Sequence, residues 1–280
     1  AITSNLAGLR KITRHLQQHH RKEKSFEHPK LKKRIPPKIQ KRSEIFEALK
    51  KSDLLLHHPY DSFDGFVKWV ECAVNDPLVI EIQMTVYRTD ATSPVIDLLK
   101  LAAKTKKVSV LIELRARFDE LNNLRLTEDL KAAGVRVGFG FGKLKLHAKI
   151  ALVTRKENDS LFYYTHLSTG NYNSATARQY EDFAILTANQ DLGHDAKTFL
   201  EAVWEERIPT HFKSLVSAPT GLHRRMLSLI KQETEAARQG KSAHIVAKVN
   251  ALVDQAIIES LYIASQAGVK VDLIVRGACS

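Results

Sequence analysis

The chain has 280 residues, of which 44% are hydrophobic and 26% are charged, as in a globular protein with one large or two medium domains. No apolar run approaches the roughly 18 residues that a membrane-spanning helix needs, and no secretory leader pattern is visible, so we expect no transmembrane segment. The two cysteines, Cys72 and Cys279, have the spacing of neither a metal site nor a disulfide framework, which favours a cytoplasmic location.

The basic charge is concentrated at the start of the chain. The net charge is +12, and the first 50 residues carry 14 Lys and Arg against 4 Glu. The remainder is therefore close to neutral. Such a segment is either a solvated basic tail or a surface that attracts a polyanion, and charge alone leaves both interpretations open.

The first part of the chain predicts little regular structure. Within residues 1–23, Leu6, Leu9, Ile12 and Leu16 recur at spacings of three and four, which predicts a short helix. Residues 24–42 are rich in lysine and proline and predict an extended linker. A helix is expected at 44–51. We treat 1–43 as a basic N-terminal segment and linker.

From Asp53 onward, runs of Val, Ile and Leu alternate with helical patterns. The run at 108–114 is almost continuously apolar, as in a sheet that is covered on both faces. The alternation predicts an α/β sandwich with helices on both faces, forming a first domain over 44–214. Strands are predicted at 78–87, 108–114, 135–141, 149–153, 162–167 and 183–187, and helices at 94–104, 124–133 and 194–204.

A weak internal repeat follows the first domain. A strand at 245–249, a helix at 257–266 and a strand at 271–275 repeat the order of elements found at 78–114. We therefore expect 215–280 to be the N-terminal part of a second, similar domain, truncated near the end of this sequence.

The segment most informative about chemistry is GKLKLHAKIAL at 142–152. If it is a strand, His147 and Lys149 share one face, because side chains alternate along a strand. An imidazole beside an ammonium suits phosphoryl transfer, with the imidazole as nucleophile and the cation holding phosphate oxygens. The bare His-x-Lys pattern is weak, since it recurs at His28 and His211, and a single strand histidine is usually structural.

Two further sets of residues favour a phosphate site. The turn at 168–173, STGNYN, offers backbone N–H groups, hydroxyls and Asn171 to a phosphate, although an ordinary Asn/Gly turn explains it as well. Arg88 ends the first strand of the sandwich, and Arg115 and Arg117 follow the strand at 108–114. Ligands of α/β sheets gather beyond the carboxyl ends of strands, where these arginines either clamp phosphate or pair with nearby acids.

These residues fall into motifs that resemble bacterial polyphosphate kinases of the phospholipase-D-like type. The resemblance runs from about residue 45 to the end of the chain and implies a phospholipase-D-like α/β/α sandwich. Its motifs are LHHPYDSF at 56–63, YR at 87–88, RFDE at 117–120, LKLHAK at 144–149, STGNYN at 168–173, TARQY at 176–180 and AGVKVDLIVRG at 267–277.

The resemblance implies a reversible transfer of the ATP γ-phosphate to inorganic polyphosphate, with Mg²⁺ as cofactor and ATP or ADP and polyphosphate as partners. It implies that His147 is the phosphohistidine, that Tyr180 lies against the adenine and that Arg276 lies near the nucleotide phosphates. Arg88 and Arg117 match positions associated with Mg²⁺. Because a guanidinium does not ligate Mg²⁺, we expect these two arginines to hold phosphate oxygens around the ion.

Three further expectations concern residues near His147. Lys149 and Lys145 should contact phosphate. Asp182 is our own hypothesis for the group that orients the imidazole through its other nitrogen.

The family also implies a possible homodimer and a cytoplasmic protein, with peripheral attachment to the inner membrane left open; no nucleic acid is expected as a partner.

This sequence also departs from related enzymes. A phospholipase-D nuclease would carry an Asp or Asn shortly after Lys149, and the stretch 150–154 has no carboxylate. The second histidine of the family's catalytic region is expected beyond Ser280. Two alternatives stay open: a phosphodiesterase or nuclease of the same superfamily, against which the missing carboxylate argues, and an inactive polyanion-binding fragment, which the missing second histidine and the basic N-terminal segment favour.

Overall fold

This computed structural model describes residues 12, 15–16, 33–40, 44–87, 93–113 and 120–280. Most of the helix predicted within 1–23, and much of the linker predicted at 24–42, lie outside the described residues. Among the described residues, no helix is both long enough and apolar enough to cross a membrane.

The elements are numbered in chain order over the described residues. The helices are α1 (Pro37–Gln40), α2 (Ile45–Lys51), α3 (Asp64–Asn75), α4 (Pro94–Ala102), α5 (Glu120–Ala132), α6 (Gln190–Trp204), α7 (Leu222–Arg238) and α8 (Gln255–Gln266). The strands are β1 (Leu54–His58), β2 (Val79–Val86), β3 (Lys107–Ile112), β4 (Arg136–Phe139), β5 (Ile150–Glu157), β6 (Ser160–Ser168), β7 (Asp182–Thr187), β8 (His244–Val249) and β9 (Lys270–Val275).

Local sequence sets several of these boundaries. Helix α4 begins with Pro94, whose missing N–H costs nothing in the first turn of a helix. Helix α6 begins after Asn189, whose side chain accepts a hydrogen bond from the N–H of Leu192 at 3.1 Å. Gly134 follows α5 with a φ of 85°, a left-handed conformation that glycine adopts without steric cost.

Seven strands form one mixed sheet in the order β1-β7-β6-β5-β2-β3-β4. Strands β2, β3 and β4 run parallel to one another, whereas β5 is antiparallel to β2 and to β6, and β7 is antiparallel to β6 and to β1. One edge of the sheet therefore collects the carboxyl ends of β1, β2, β3, β4 and β6 together with the amino ends of β5 and β7.

Alternation along the strands builds a core on each face of this sheet. In β5, Ala151 and Val153 face the larger core, which α2 to α5 cover, whereas Leu152 faces a smaller core that α6 covers with Leu200 and Val203. Burial on both faces explains the continuous apolar run of β3. The predicted α/β sandwich with helices on both faces is confirmed.

Residues after α6 form a separate βαβ arrangement. Strands β8 and β9 are parallel, with His244 opposite Lys270 and Val249 opposite Val275, and α8 connects them. Ile230 of α7 packs with Leu261 and Ala264 of α8 in a small core. The predicted order of strand, helix and strand is confirmed here.

The linker prediction is wrong over its last residues. Pro37–Gln40 form the short helix α1, and Ile39 is completely buried in the larger core. Just before it, Arg34 forms a β-bridge to Asp61 and an ion pair with its carboxylate at 2.8 Å. An apolar side chain with a place in the core outweighed the local preference of two prolines for extended chain.

Candidate functional site

The candidate site lies at the sheet edge where five carboxyl ends meet two amino ends. Residues 144–149, here called the His147 segment, lead into β5 at this edge. Ser168 ends β6 and Asp182 begins β7 beside it. Tyr87 follows β2 at the same edge. Segments distant in sequence are therefore brought together here.

The sequence predicted that His147 and Lys149 lie on a strand, but the His147 segment is not part of one. Strand β5 begins at Ile150, and residues 144–149 have no regular secondary structure. Even so, the expected partners meet. The Lys149 ammonium lies 3.0 Å from Nδ1 and 3.2 Å from Nε2 of the His147 imidazole. His147 is exposed whereas Lys149 is buried, so the cation approaches the exposed ring from the protein side.

Tyr87 packs against this pair of side chains. Its buried side chain lies edge-on to the imidazole of His147, with ring centroids 5.1 Å apart. The ammonium groups of Lys145 and Lys149 lie 5.2 and 5.4 Å from the centroid of the Tyr87 ring, within range of a cation–π attraction. Tyr87 was part of a recognised motif, but no role was predicted for its side chain.

Burial lowers the pKa of the Lys149 ammonium to about 8, because removing a charge from water disfavours the charged form. The Asp182 carboxylate opposes this shift, and the positive charge of Lys145 adds to it. Three residues predicted from the sequence, Lys145, Lys149 and Asp182, therefore act on one another electrostatically.

The turn after β6 packs against the start of β7. The Thr169 hydroxyl donates a hydrogen bond of 2.7 Å to the Asp182 carboxylate, and the N–H of Gly170 donates to the hydroxyl of Ser168 at 3.0 Å. A Cβ atom at Gly170 would lie 2.6 Å from a carboxylate oxygen of Asp182, so glycine permits this approach. The buried Oδ1 of Asn171 has no hydrogen-bond partner in this structure.

Tyr180 and Arg276 meet where the βαβ arrangement approaches the main sheet. The Arg276 guanidinium lies 4.6 Å from the centroid of the Tyr180 ring and donates to Asn250 at 2.8 Å. Next to Tyr180, the Glu181 carboxylate accepts from Lys248 of β8 at 2.5 Å and from the Tyr60 hydroxyl at 3.0 Å. These contacts join residues that the sequence placed in two domains.

A cavity of about 770 Å³ opens beside His147. Both lysines of the His147 segment line it, together with apolar side chains of β1, β7, α6, the residues before α7 and the start of α7. Its lining includes Lys145, His147, Lys149, Ser168, Thr169, Leu55, Phe183, Ile185, Phe199, Val216 and Leu222.

Comparison with known proteins assigns the family. The sequence model of the polyphosphate kinase C-terminal domain 1 matches residues 44–208, and that of the C-terminal domain 2 matches residues 215–280. The chain belongs to the polyphosphate kinase family. The resemblance that we drew from the sequence motifs is therefore confirmed.

Individual polyphosphate kinases support the assignment. The chain is 43% identical to the enzyme of Bacillus cereus over 258 residues, which are 91% of this chain and 37% of that protein. It is 44% identical to the enzyme of Neisseria gonorrhoeae over 86% of this chain and 36% of that protein. The chain thus spans little more than a third of the length of these curated relatives.

A solved polyphosphate kinase has the same fold. The crystal structure of the enzyme from Porphyromonas gingivalis superposes with a TM-score of 0.81 at 36% sequence identity, over 92% of this chain and 43% of that one.

Arg88 and Arg117, which the family resemblance associates with phosphate, lie outside the described residues. Arg115 lies outside them as well. Among the residues that are described, no group of three or more His, Cys, Asp or Glu is placed to hold a metal ion. The side chains around His147 are cationic lysines, which do not ligate Mg²⁺. The described part of the site therefore does not fit a Mg²⁺ ion held by protein ligands alone.

Sequence reasoning also missed two polar side chains. Thr85 in β2 and Glu113 directly after β3 are both buried and form hydrogen bonds to the main chain of the His147 segment. The available signal was weak: each is a polar residue at the end of an apolar strand.

Proposed function

We propose that this chain carries the catalytic part of a polyphosphate kinase, which reversibly transfers the γ-phosphate of ATP to inorganic polyphosphate through a phosphohistidine at His147. One observation carries the proposal: an exposed imidazole stands against a buried ammonium, that of Lys149, at an edge where several strand ends meet. Membership of the family supports the activity. Because the chain spans only part of its relatives, the activity of the whole protein belongs to the proposal.

In the first step, an unprotonated ring nitrogen of His147 attacks the γ-phosphorus of ATP. A nitrogen–phosphorus bond forms, the bond from the γ-phosphorus to the bridging oxygen breaks, and ADP leaves with that oxygen. The ammonium groups of Lys149 and Lys145 offset the negative charge on the transferred oxygens. Lys149 is already within 3.2 Å of both ring nitrogens, so a phosphoryl group on either nitrogen would lie close to this cation.

In the second step, a terminal oxygen of polyphosphate attacks the phosphorus of phosphohistidine. The nitrogen–phosphorus bond breaks, the imidazole is restored and the polymer grows by one phosphate. The same groups serve the reverse direction, because each step is the microscopic reverse of a transfer to or from the imidazole. The exposure of His147 suits a nucleophile that must receive two different phosphate substrates in turn.

The remaining ligand assignments are part of the proposal. Tyr180 offers an exposed ring for adenine, and Arg276 beside it offers a guanidinium to the nucleotide phosphates. Asn171 is proposed to donate its side-chain N–H₂ group to a phosphate oxygen; its Oδ1 is buried without a hydrogen-bond partner in this structure. Asp182 as the group that orients His147 stays a prediction; its carboxylate bonds to Thr169 and acts on the charge of Lys149.

In this proposal, Mg²⁺ contacts the protein only through the phosphate oxygens that bind it. When bound to ATP, it would neutralise charge on the phosphate oxygens, and Arg88 and Arg117 are proposed to hold those oxygens around it. The homodimer, the cytoplasmic location and the absence of a nucleic-acid partner stay predictions.

The test is incubation of the chain with γ-labelled ATP. We expect acid-labile, base-stable label on wild type and none on His147→Ala. His211→Ala is the matched control, because His211 belongs to the same His-x-Lys pattern but lies outside the site, where Lys213 pairs with Asp191 at 2.9 Å. Label that survives His147→Ala would overturn the phosphohistidine. Hydrolysis of a phosphodiester instead would support the nuclease, and binding of polyphosphate without transfer would support the inactive fragment.

A further inference from the structure

The His147 segment is held in place without being part of a strand. Its main chain is nevertheless partly buried, and buried N–H and C=O groups need partners. Beyond the N–H of Ser168, which donates to the carbonyl of Lys149 at 3.1 Å, the partners are side chains. They come from Lys149 itself, whose ammonium donates to the carbonyl of His147 at 2.6 Å, and from Thr85 in β2 and Glu113 directly after β3.

Glu113 holds the residue before the histidine. Its side chain is 3% exposed, and Oε2 accepts a hydrogen bond of 2.5 Å from the N–H of Leu146. The N–H of Glu113 itself donates to the carbonyl of Val86, so its own main chain is fixed to β2. A charged acceptor makes a shorter and stronger bond than a neutral one, which makes this contact a firm attachment.

Thr85 holds the residues after the histidine. Its hydroxyl donates to the carbonyl of Ala148 at 2.7 Å and accepts from the N–H of Ile150 at 3.1 Å. The side chain is 2% exposed and lies in β2, between strands on either side. One hydroxyl therefore satisfies the carbonyl of Ala148, which lies outside any strand, and the N–H of Ile150, the first residue of β5.

The two contacts flank His147 directly. Leu146 is buried, with its side chain in the smaller core, so the chain enters His147 from a fixed residue and leaves it through the fixed Ala148. Fixing the peptide groups on both sides restricts the direction in which the imidazole leaves the main chain. A displacement of about 1 Å at a reacting group can cost about a hundredfold in rate.

We infer that Glu113 and Thr85 are positioning residues, which clamp the main chain on both sides of His147 and so aim its imidazole at the phosphorus. Glu113 is the charged half of the clamp and Thr85 the neutral half. Neither side chain is assigned a contact with substrate. The inference rests on the proposed function for its catalytic consequence, but the clamp itself is a structural claim that is measured separately.

The structural half is tested by NMR of the N–H of Leu146. In wild type, this proton should be shifted downfield and protected from exchange with solvent. In Glu113→Ala, we expect it to move upfield and to exchange about tenfold faster or more, as the loss of one charge-assisted hydrogen bond implies. In Glu113→Gln, an amide oxygen can take the same place, so much of the protection should remain. A Leu146 signal that is unchanged in Glu113→Ala overturns the clamp, whatever the activity.

The catalytic half is tested by single-turnover labelling with γ-labelled ATP. Glu113→Ala and Thr85→Val should label about 10 to 100 times more slowly at saturating ATP, with the ATP concentration for half-maximal labelling unchanged within about twofold. The reason is that these substitutions disturb the orientation of the imidazole but not the binding of ATP. Glu113→Gln and Thr85→Ser should recover most of the rate, since each keeps an acceptor or a hydroxyl. Glu201→Gln, which changes an exposed acid on α6, is the matched control and should label as wild type does.

The outcomes are distinguishable from failure of the proposed function. If wild type carries no label, the phosphohistidine is wrong, and the Leu146 signal still decides whether the clamp exists. If wild type is labelled and Thr85→Val labels equally fast, positioning by Thr85 is overturned. If Glu113→Ala fails to fold, Glu113→Gln and the Thr85 pair decide the question, and a Thr85→Ser rate no better than that of Thr85→Val argues against the clamp.

Discussion

Replacing Lys149 by arginine should change the pH dependence of phosphoryl transfer. The Lys149 ammonium has a pKa that burial lowers from 10.5 to about 8, so the folded protein loses this charge within an accessible pH range. The cation is present below this pKa and absent above it. If Lys149 holds phosphate oxygens, the reaction with ATP must weaken as the pH rises through about 8.

The size of the effect follows from the titration. Each pH unit above a pKa lowers the protonated fraction about tenfold, so about one tenth of the molecules keep the Lys149 charge at pH 9. The value of kcat/KM for wild type should fall in proportion, because it reports the ionisation of the free enzyme. An arginine stays charged at every accessible pH, so Lys149→Arg should keep its own plateau up to pH 10. That plateau will be lower, since a planar guanidinium does not fit the place of an ammonium.

The assay is the initial rate of labelling of the protein at low ATP, from pH 6.5 to 10. Lys149→Met is the control: it should be slow throughout and show no loss of rate near pH 8. The reasoning is refuted if Lys149→Arg loses rate near pH 8 as wild type does, because the alkaline limb would then belong to another group.

Three further predictions concern neighbouring residues. Gly170→Ala places a Cβ 2.6 Å from a carboxylate oxygen of Asp182 and should slow labelling about tenfold by displacing that carboxylate; an unchanged rate would show that Asp182 is dispensable. Burial lowers the pKa of His166 from 6.5 to about 3, so between these two pH values the unfolded chain binds a proton at His166 and the folded chain does not. Stability should therefore fall below pH 6.5 by up to about 1.4 kcal/mol per pH unit, and urea unfolding of His166→Gln should depend less on pH; parallel profiles contradict this. Arg276→Ala should raise the ATP concentration for half-maximal labelling about tenfold without changing the saturated rate, whereas Tyr180→Phe should keep both values; a loss of saturated rate alone would count against a role in binding.

The parts of the fold that could be predicted are those that local sequence decides. Strand β3 and helix α4 have strong, short-range patterns, an apolar run and a proline at the first helical turn, and both were found within two residues. Strand β1 had no such pattern. It lies at the edge of the sheet with Leu55 exposed, and its strand state depends on pairing with β7, more than a hundred residues later in the chain.

The residues of the site also fall into those that could be predicted from local sequence and those that could not. His147 and Lys149 lie in a recognisable motif, and Asp182 is a charged residue shortly after another, so the sequence was enough to propose all three. Glu113 and Thr85 could not be nominated, because their role is to bond a main chain that approaches only in the folded protein. A hydrogen bond to a backbone group leaves no complementary residue in the sequence, which is why side chains of this kind escape motif reading.

The direction of β5 explains why the His147 segment reaches the site at all. Ligand residues in parallel α/β sheets follow their strands, as Tyr87 follows β2, and a parallel β5 would carry His147 to the opposite edge. Because β5 and β7 are antiparallel to their neighbours, residues that precede these two strands meet residues that follow the others. His147 thus lies before its strand, where no ladder holds it, and the main chain on either side of it is bonded by the side chains of Glu113 and Thr85. The antiparallel direction of β5 therefore accounts for the position of His147 before the strand and for the proposed role of Glu113 and Thr85 in holding it there.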